Sequence, residues 1–424
     1  MLVEFRVRNF RSIRDDMCLT MTASKDTDKS ETNTIRTGAT PSSLLRTSVI
    51  YGPNASGKSA LVFAIQFAQN MIRTSALHLP ESPIVQMPFA LDDELADSPT
   101  EFEFTFLIDE VRYQYGFSYL ASGIEEEWLL VYKAPKPQLW FERKRDESVG
   151  NDVYKFGSSF LGARTLWKSA TRRNSLFLSM AMQLNSENLR PIYQWLTEGL
   201  QVFNAGMQPA VDLSVEWLGR ADHKGMILGF LSAADVGISD AVLDKRKMRQ
   251  IRLEFGGESV GSPPPVATEK EVDFPLFLHK TTRGQASIPI NEESAGTQRL
   301  FAFAAPLIDA LNHGRTVVID ELDGSLHSHI VRFLVEIFHR PTTEKSAAQL
   351  IFTTHDTSLL DFNILRRDQI WFMEKGSDQS STLTPLTDFS PRKNEALERG
   401  YLQGRYGALP MVSDFAAEDL FGGS

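Results

Sequence analysis

The 424-residue sequence predicts an α/β fold: a mixed or parallel central sheet covered by helices, an antiparallel β-subdomain beside it, and a helical insertion without a long coiled coil. Three observations predict it. A β-rich run, Ser48 to Tyr51, leads through the glycine-rich loop "GPNASGKS" into an apolar-periodic helix. Two further apolar runs, Thr316 to Ile319 and Leu350 to Phe352, show no alternation, whereas residues 99 to 143 alternate apolar and polar positions. An unalternating apolar run suits a strand buried on both faces, as in a parallel sheet covered by helices. Period-two alternation suits a sheet with one face on a core.

Composition sets outer limits on function. With 42% hydrophobic and 23% charged residues the chain is an ordinary globular one, and it has room for two or three domains' worth of core. The start, "MLVEFRVRNFRSIRDD", is interrupted by charges every few residues, and no stretch approaches a membrane-spanning length of apolar residues, so a soluble cytoplasmic protein is expected. The single cysteine, Cys18, leaves no internal disulfide and reads as a small, partly buried hydrophobe. A net charge of −10 lacks the basic footprint of a dedicated nucleic-acid coat, so nucleic acid is not indicated, and any such binding is local.

In chain order, the first chemical element is Gly52-Pro-Asn54-Ala55-Ser56-Gly57-Lys58-Ser59, placed between a strand and a helix through Leu61, Ile65, Ala68 and Ile72. That context is what a G-x-x-x-x-G-K-[ST] match needs before it counts as a phosphate loop. The glycines let consecutive N–H groups point inward at phosphate oxygens, Lys58 reaches the β- and γ-phosphates, and the Ser59 hydroxyl ligates magnesium. Next, Phe102, Phe104 and Phe106, then Tyr113, Tyr115 and Phe117, mark strands of the antiparallel subdomain.

Between 155 and 280 the pattern changes. "NSENLRPIYQWLTEGL" has a capping start at Asn185 or Ser186 and apolar positions Leu189, Ile192, Leu196 and Leu200, which predicts a helix. "HKGMILGFLSAADVGI" predicts another, stopped near Gly237, and "DAVLDKRKMRQIRLEF" a basic strand. "GGESVGSPPPVATEKE" reads as a flexible loop over 256–272. The basic clusters Lys168, Arg172, Arg173 and Lys245, Arg246, Lys247, Arg249, Arg252 are the candidate nucleic-acid patches, although no aromatic residues interleave them for base stacking.

Three elements close the chain. "NEESAGTQR" opens a long apolar helix, and Ser294 there is an N-cap whose neighbouring free N–H groups also attract a phosphate. Asp320 and Glu321 stand at the carboxyl end of the run Thr316 to Ile319, where α/β sheets place ligands. There Asp320 would hold magnesium through water and Glu321 would act as general base toward the attacking water. The run Leu350 to Phe352 ends in Thr353, Thr354, His355 and Asp356, which aims His355 at a γ-phosphate, and a last strand follows through Ile370 to Met373. His327 and His329 in "LHSHI" lack an evident third ligand and read as a turn, not a metal site.

The order "GPNASGKS", "SAGTQR", "IDELDGSLH", "FTTHD" resembles the ABC-type ATPase superfamily in its SMC- and OLD-like branch: Walker A, signature, Walker B with D-loop, and H-switch. "FRVRNFRSI", "PFALDDE", "RRDQIWFMEK" and "YLQGRYGALP" resemble the RloA and AriA type of ATPases in two-gene phage-defence systems. The resemblance implies an ATPase using ATP and Mg²⁺ and a head-to-tail homodimer or higher oligomer. Ser294 and Gly296 of one chain would close on the γ-phosphate held by Lys58 of another, with Glu321, Lys58 and His355 catalytic. It also implies a sensor of a phage-derived trigger that controls a separately encoded effector, a nuclease or toxin. A DNA-repair or recombination ATPase acting on DNA ends is the alternative. Ala295 stands where transporter-type signatures usually carry glycine, which fits the defence and repair branch. Gln86, before "MPFALDD", is the candidate for the Q-loop glutamine that touches magnesium beside Ser59 and Asp320. The expected division is 1–150 and 285–424 as the two halves of the nucleotide-binding domain, with 151–284 as a mainly helical insertion.

Overall fold

The computed structural model describes residues 1–134, 136–146, 148, 150–205, 211–234, 236–252, 266–340, 347–391 and 396–410. The chain forms two compact units. The first comprises Met1–Met207, Ala310–Asp323 and Val331–Ser424, and the second Gln208–Asp309 and Gly324–Ile330. These cuts fall elsewhere than 150 and 284, because the chain enters and leaves the first unit more than once.

The first unit carries the α/β fold. Its central sheet has six strands in the order Leu200–Phe203, Thr316–Ile319, Gln349–Thr353, Thr47–Tyr51, Ile370–Lys375 and Ser381–Pro385. The first five run parallel and the last pairs antiparallel, so the sheet is mixed. Its middle strands, Thr47–Tyr51, Thr316–Ile319 and Gln349–Thr353, are buried along their whole length, which is why their sequences do not alternate. A seven-stranded antiparallel sheet holds Thr100–Ile108, Val111–Leu120, Gly123–Tyr132, Gln138–Asp146 and Asn151–Phe156. The N-terminal strands Leu2–Arg8 and Met17–Thr20 complete its far edge.

The helix Lys58–Thr74 buries Leu61, Ile65, Ala68 and Ile72, the four positions its periodicity selects. They join Phe5, Phe102 and Phe104 of the antiparallel sheet and Val318 and Ile351 of the central sheet in one apolar cluster. Gln349 ties the two sheets by polar bonds: its carboxamide accepts from Leu2 N–H at 2.6 Å and from the Thr316 hydroxyl at 3.0 Å, and donates to Leu2 O at 3.0 Å. A buried amide whose groups are this fully engaged fixes register.

Two sequence expectations need correction. The helix expected over 185–200 is cut short: Arg190–Gln194 is α-helical, Trp195–Gly199 widens into a π turn, and Leu200–Phe203 is a strand. Leu200 is buried in the sheet, parallel to Thr316, and the helix carbonyls it frees are satisfied from the neighbouring helix, where Gln69 Nε2 donates to Leu196 O at 2.8 Å and to Leu200 O at 2.6 Å. Of the loop expected over 256–272, residues 256–265 lie outside the described residues. Residues from 266 onward are strand Val266–Thr281, paired antiparallel with Ile238–Arg252. Asp273 and Glu271 sit opposite Lys245 and Lys247, so opposite charges pair across the ladder.

The second unit contains helices Asp212–Leu218 and Ala221–Ala233, that long hairpin, a third strand Gly284–Pro289, and the start of helix Ala295–His313. Phe277 of the hairpin meets Phe301 of the helix edge to face with centroids 5.1 Å apart. No described helix is long and apolar enough to cross a membrane.

His339, buried at the end of helix Ser328–His339, shares a 2.8 Å hydrogen bond with the Thr47 hydroxyl beneath the central sheet. Burial, reinforced by the nearby Arg46 charge, lowers its pKa from the usual 6.5 to about 4. Between these values the unfolded chain binds a proton the folded one refuses, so stability rises with pH across the window, is fully present above 6.5, and is lost as pH falls through 4. Urea midpoints at pH 7.5 and 4.5 measure the effect. His339→Gln is expected to remove roughly 1–3 kcal/mol of the acid loss seen in the parent chain, and identical acid losses would contradict the assignment.

Candidate nucleotide site

The site is built at the carboxyl ends of the central strands. Thr47–Tyr51 runs into the glycine-rich loop, and helix Lys58–Thr74 starts directly after it with Gly57 at φ 110° as its N-cap. A side chain is excluded at two points here. A methyl group at Gly57 would run into the Ser381 hydroxyl and one at Gly52 into Met373 O, quite apart from the left-handed backbone at Gly57. The loop is also braced from below: the Ser381 hydroxyl donates to Ser56 O at 2.7 Å and shares a 2.8 Å hydrogen bond with the Ser12 hydroxyl. Asn54, Ala55 and Ser59 are exposed, while Ser56 and Lys58 are buried.

Lys58 folds over its own loop, donating from Nζ to Gly52 O at 2.7 Å and Pro53 O at 3.0 Å. Burial lowers its pKa, and the negative charges of Asp320, Glu321 and Asp323 oppose that shift. Those acids therefore share one electrostatic environment with Lys58, although they lie far away in sequence.

Thr353, the last residue of the His355 strand, organises the acids. Its hydroxyl donates to Asp320 Oδ1 at 2.6 Å and accepts from Glu321 N–H at 2.7 Å. Glu321 sits at φ 51°, a left-handed conformation that costs a non-glycine residue on the order of 1–3 kcal/mol and that clusters at functional sites. Two adjacent strands are thus locked together where the sheet ends. Asp320 Oδ2 is buried with no hydrogen-bond partner among the described residues. One orphaned carboxylate oxygen beside an ammonium and a helix N-terminus fits a magnesium–phosphate group. His355 is exposed and its N–H donates to Asp323 Oδ2 at 3.2 Å. Sequence reasoning passed over Thr353 and Asp323. Their signal was position, one at a strand end and one in the turn after the acid pair.

Ser294 and Gly296 lie in the second unit. Ser294 caps helix Ala295–His313, its hydroxyl accepting from Thr297 N–H at 3.1 Å. A side chain on Gly296 would meet Ser325 O at 2.8 Å, so glycine is required by the turn that follows the acid pair. His327 Nδ1 in that turn accepts from His329 N–H at 3.2 Å.

Gln86 is placed with its polar groups taken. Its Nε2 donates to Ser98 O at 3.0 Å and its Oε1 accepts from Ala121 N–H at 3.1 Å, so the oxygen that metal coordination requires is bound to the antiparallel sheet. The first basic cluster is likewise engaged within the fold. Arg172 donates to Ala76 O at 2.6 Å, Arg173 pairs with Glu125 at 3.0 Å, and Lys168 lies over the Tyr154 ring at 5.4 Å. In the second cluster Arg246 pairs with Asp244 at 3.0 Å and lies over Phe274, while the side chains of Arg249 and Arg252 lie outside the described residues. Cys18 is half-buried, and burial together with Glu4 pushes its thiol up to about 12.

The chain resembles the SMC head domain from Thermotoga maritima at 13% identity and a TM-score of 0.42, over 91% of this chain and 98% of that one. It also resembles an SMC head solved bound to the C-winged helix domain of ScpA, at 14% identity and a TM-score of 0.47, over 90% and 96% of the two chains. No curated protein matches it. A family model described as "AAA domain, putative AbiEii toxin, Type IV TA system" matches residues 48–361. That match runs from the strand before the phosphate loop to beyond His355, well over half of the sequence, and the chain belongs to this AAA-domain family.

Proposed function

We propose that this chain is an ATP- and Mg²⁺-dependent ATPase that acts as a nucleotide-gated switch in anti-phage defence, closing as a homodimer and controlling a separately encoded effector. Lys58, buried and within electrostatic reach of Asp320, Glu321 and Asp323, carries the reading, because an ammonium in the field of three carboxylates suits a charge-neutralising site for phosphate and metal. In this reading the backbone of Gly52, Asn54, Ala55, Ser56 and Gly57 cradles the phosphates, and Ser59 and Asp320 hold the ion. Magnesium, when bound, neutralises charge on the β- and γ-phosphates. Glu321 orients and deprotonates the attacking water, His355 senses the γ-phosphate, and Ser294 and Gly296 arrive from a second chain.

The defence role is supported by the motifs shared with two-gene systems and by a family description that names a toxin–antitoxin system. The partly neutralised basic clusters favour it over a DNA-end ATPase. If hydrolysis needs two chains, the rate per chain rises with chain concentration and saturates. A concentration-independent rate across the dimerisation range would contradict the switch.

A further inference from the structure

We infer that His279 is a positioning residue for the "SAGTQR" turn, setting the direction in which Ser294 faces the nucleotide of another chain; the assignment rests on the two-chain reading above. Strand Val266–Thr281 pairs antiparallel with Gly284–Pro289, with His279 opposite Ala286. The shorter strand runs through a single tight helical turn, Ile290–Glu292, into Glu293 and Ser294, so little chain separates the sheet from the "SAGTQR" turn. Alternate residues of a strand face one side, so Phe277 and His279 reach the same way. Phe277 is buried against Phe301 of helix Ala295–His313, and His279 Nε2 shares a 2.6 Å hydrogen bond with Glu293 Oε1.

Glu293 is held from several sides. Its N–H donates to Ile290 O at 3.2 Å, its carbonyl accepts from Gln298 Nε2 at 2.8 Å, and its carboxylate binds His279. The Glu293 side chain is 8% exposed and the His279 side chain 23%, whereas the next residue, Ser294, is exposed. A carboxylate taken this far out of water loses hydration that its hydrogen bond does little more than offset, so the pair contributes little net stability. Direction is what it contributes. The bond closes only when Glu293 carries its main chain at one angle to the strand, and the hydroxyl one residue on inherits that angle. Ser294 is itself tied to its helix, accepting from Thr297 N–H at 3.1 Å and sharing a 2.9 Å bond with the Thr297 hydroxyl. Turn and helix start therefore move as one piece, and His279 fastens that piece to the sheet. Misplacing a group at a reacting centre by about 1 Å costs on the order of 100-fold in rate. Loosening this attachment is therefore expected to act on turnover while leaving the phosphate loop of the same chain untouched.

ATPase complementation between tagged chains tests the assignment. His279→Ala is expected to turn over ATP roughly 10- to 100-fold more slowly than the parent. Its affinity for a fluorescent ATP analogue, measured on dilute chain, is expected to stay within about twofold, because Lys58 and its loop are intact. His279→Gln, which keeps an N–H for Glu293, is expected to hold turnover within about threefold of the parent. Mixed with Lys58→Ala chains, His279→Ala is expected to recover roughly a quarter of the parent rate, since one composite site joins its own Lys58 to an undamaged turn. Mixed with Ser294→Arg chains it is expected to recover nothing, since both lesions fall in the turn and every site is damaged. Lys58→Ala mixed with Ser294→Arg is the reference. If that mixed dimer recovers while the verified His279→Ala and Lys58→Ala dimer does not, His279 is a structural residue and this assignment alone is overturned. If the reference also stays inactive, sites between chains are ruled out and the assignment falls with them. His279→Ala turnover within about twofold of the parent, or recovery with Ser294→Arg chains, would overturn it as well.

Discussion

Glu321→Gln is expected to slow ATP hydrolysis by roughly 10²- to 10⁴-fold, the usual contribution of a positioned general base, while leaving ATP affinity within a few-fold of the parent. The separation follows from geometry. In the proposed site, phosphate and its metal would be held by the loop between Gly52 and Lys58 and by Asp320, none of which the substitution touches. Glu321 is held by its main chain, with φ at 51° and its N–H bonded to the Thr353 hydroxyl, so an isosteric glutamine keeps the turn and loses only the basic oxygen. Phosphate release and nucleotide binding measured on the same preparation make the comparison. Turnover within about threefold of the parent would remove Glu321 from the general-base role, and a parallel loss of affinity would make it a binding residue instead.

Much of this was legible because the chemistry is local. The spacing from Gly52 to Ser59 is set by one loop that must turn within a few residues, and the flanking strand and helix declare themselves by period. The runs Thr316–Ile319 and Gln349–Thr353 announce a doubly covered sheet for the same reason. What the sequence hid is non-local. Leu200 to Phe203 continues the apolar phase of the preceding helix, and only its pairing with a strand more than a hundred residues later makes it an edge of the central sheet. Thr353 could be seen at a strand end, but its double bond to Asp320 and Glu321 depends on two strands lying in register. The partners of Gln86 were equally hidden, since nothing local shows that its amide is bound to Ser98 and Ala121.

In the proposed switch, one chain's phosphate loop is completed by another chain's "SAGTQR" turn. Lys58→Ala removes the ammonium that would bind the β- and γ-phosphates. Ser294→Arg replaces a small capping hydroxyl with a bulky side chain where the second chain would meet the nucleotide. Each variant alone is expected to be inactive, since every homodimer would contain two damaged sites. In a mixed dimer the lesions fall together in one composite site, and the other site keeps Lys58 from one chain and Ser294 from its partner. A symmetric two-fold assembly with random pairing then predicts recovery of roughly a quarter of the parent ATPase rate on mixing equal amounts. ATPase assay of the mixture, with the mixed dimer verified by differently tagged chains, is the most direct test. Recovery to about that level is expected if the sites form between chains, and a verified mixed dimer no more active than its two parents would rule such sites out.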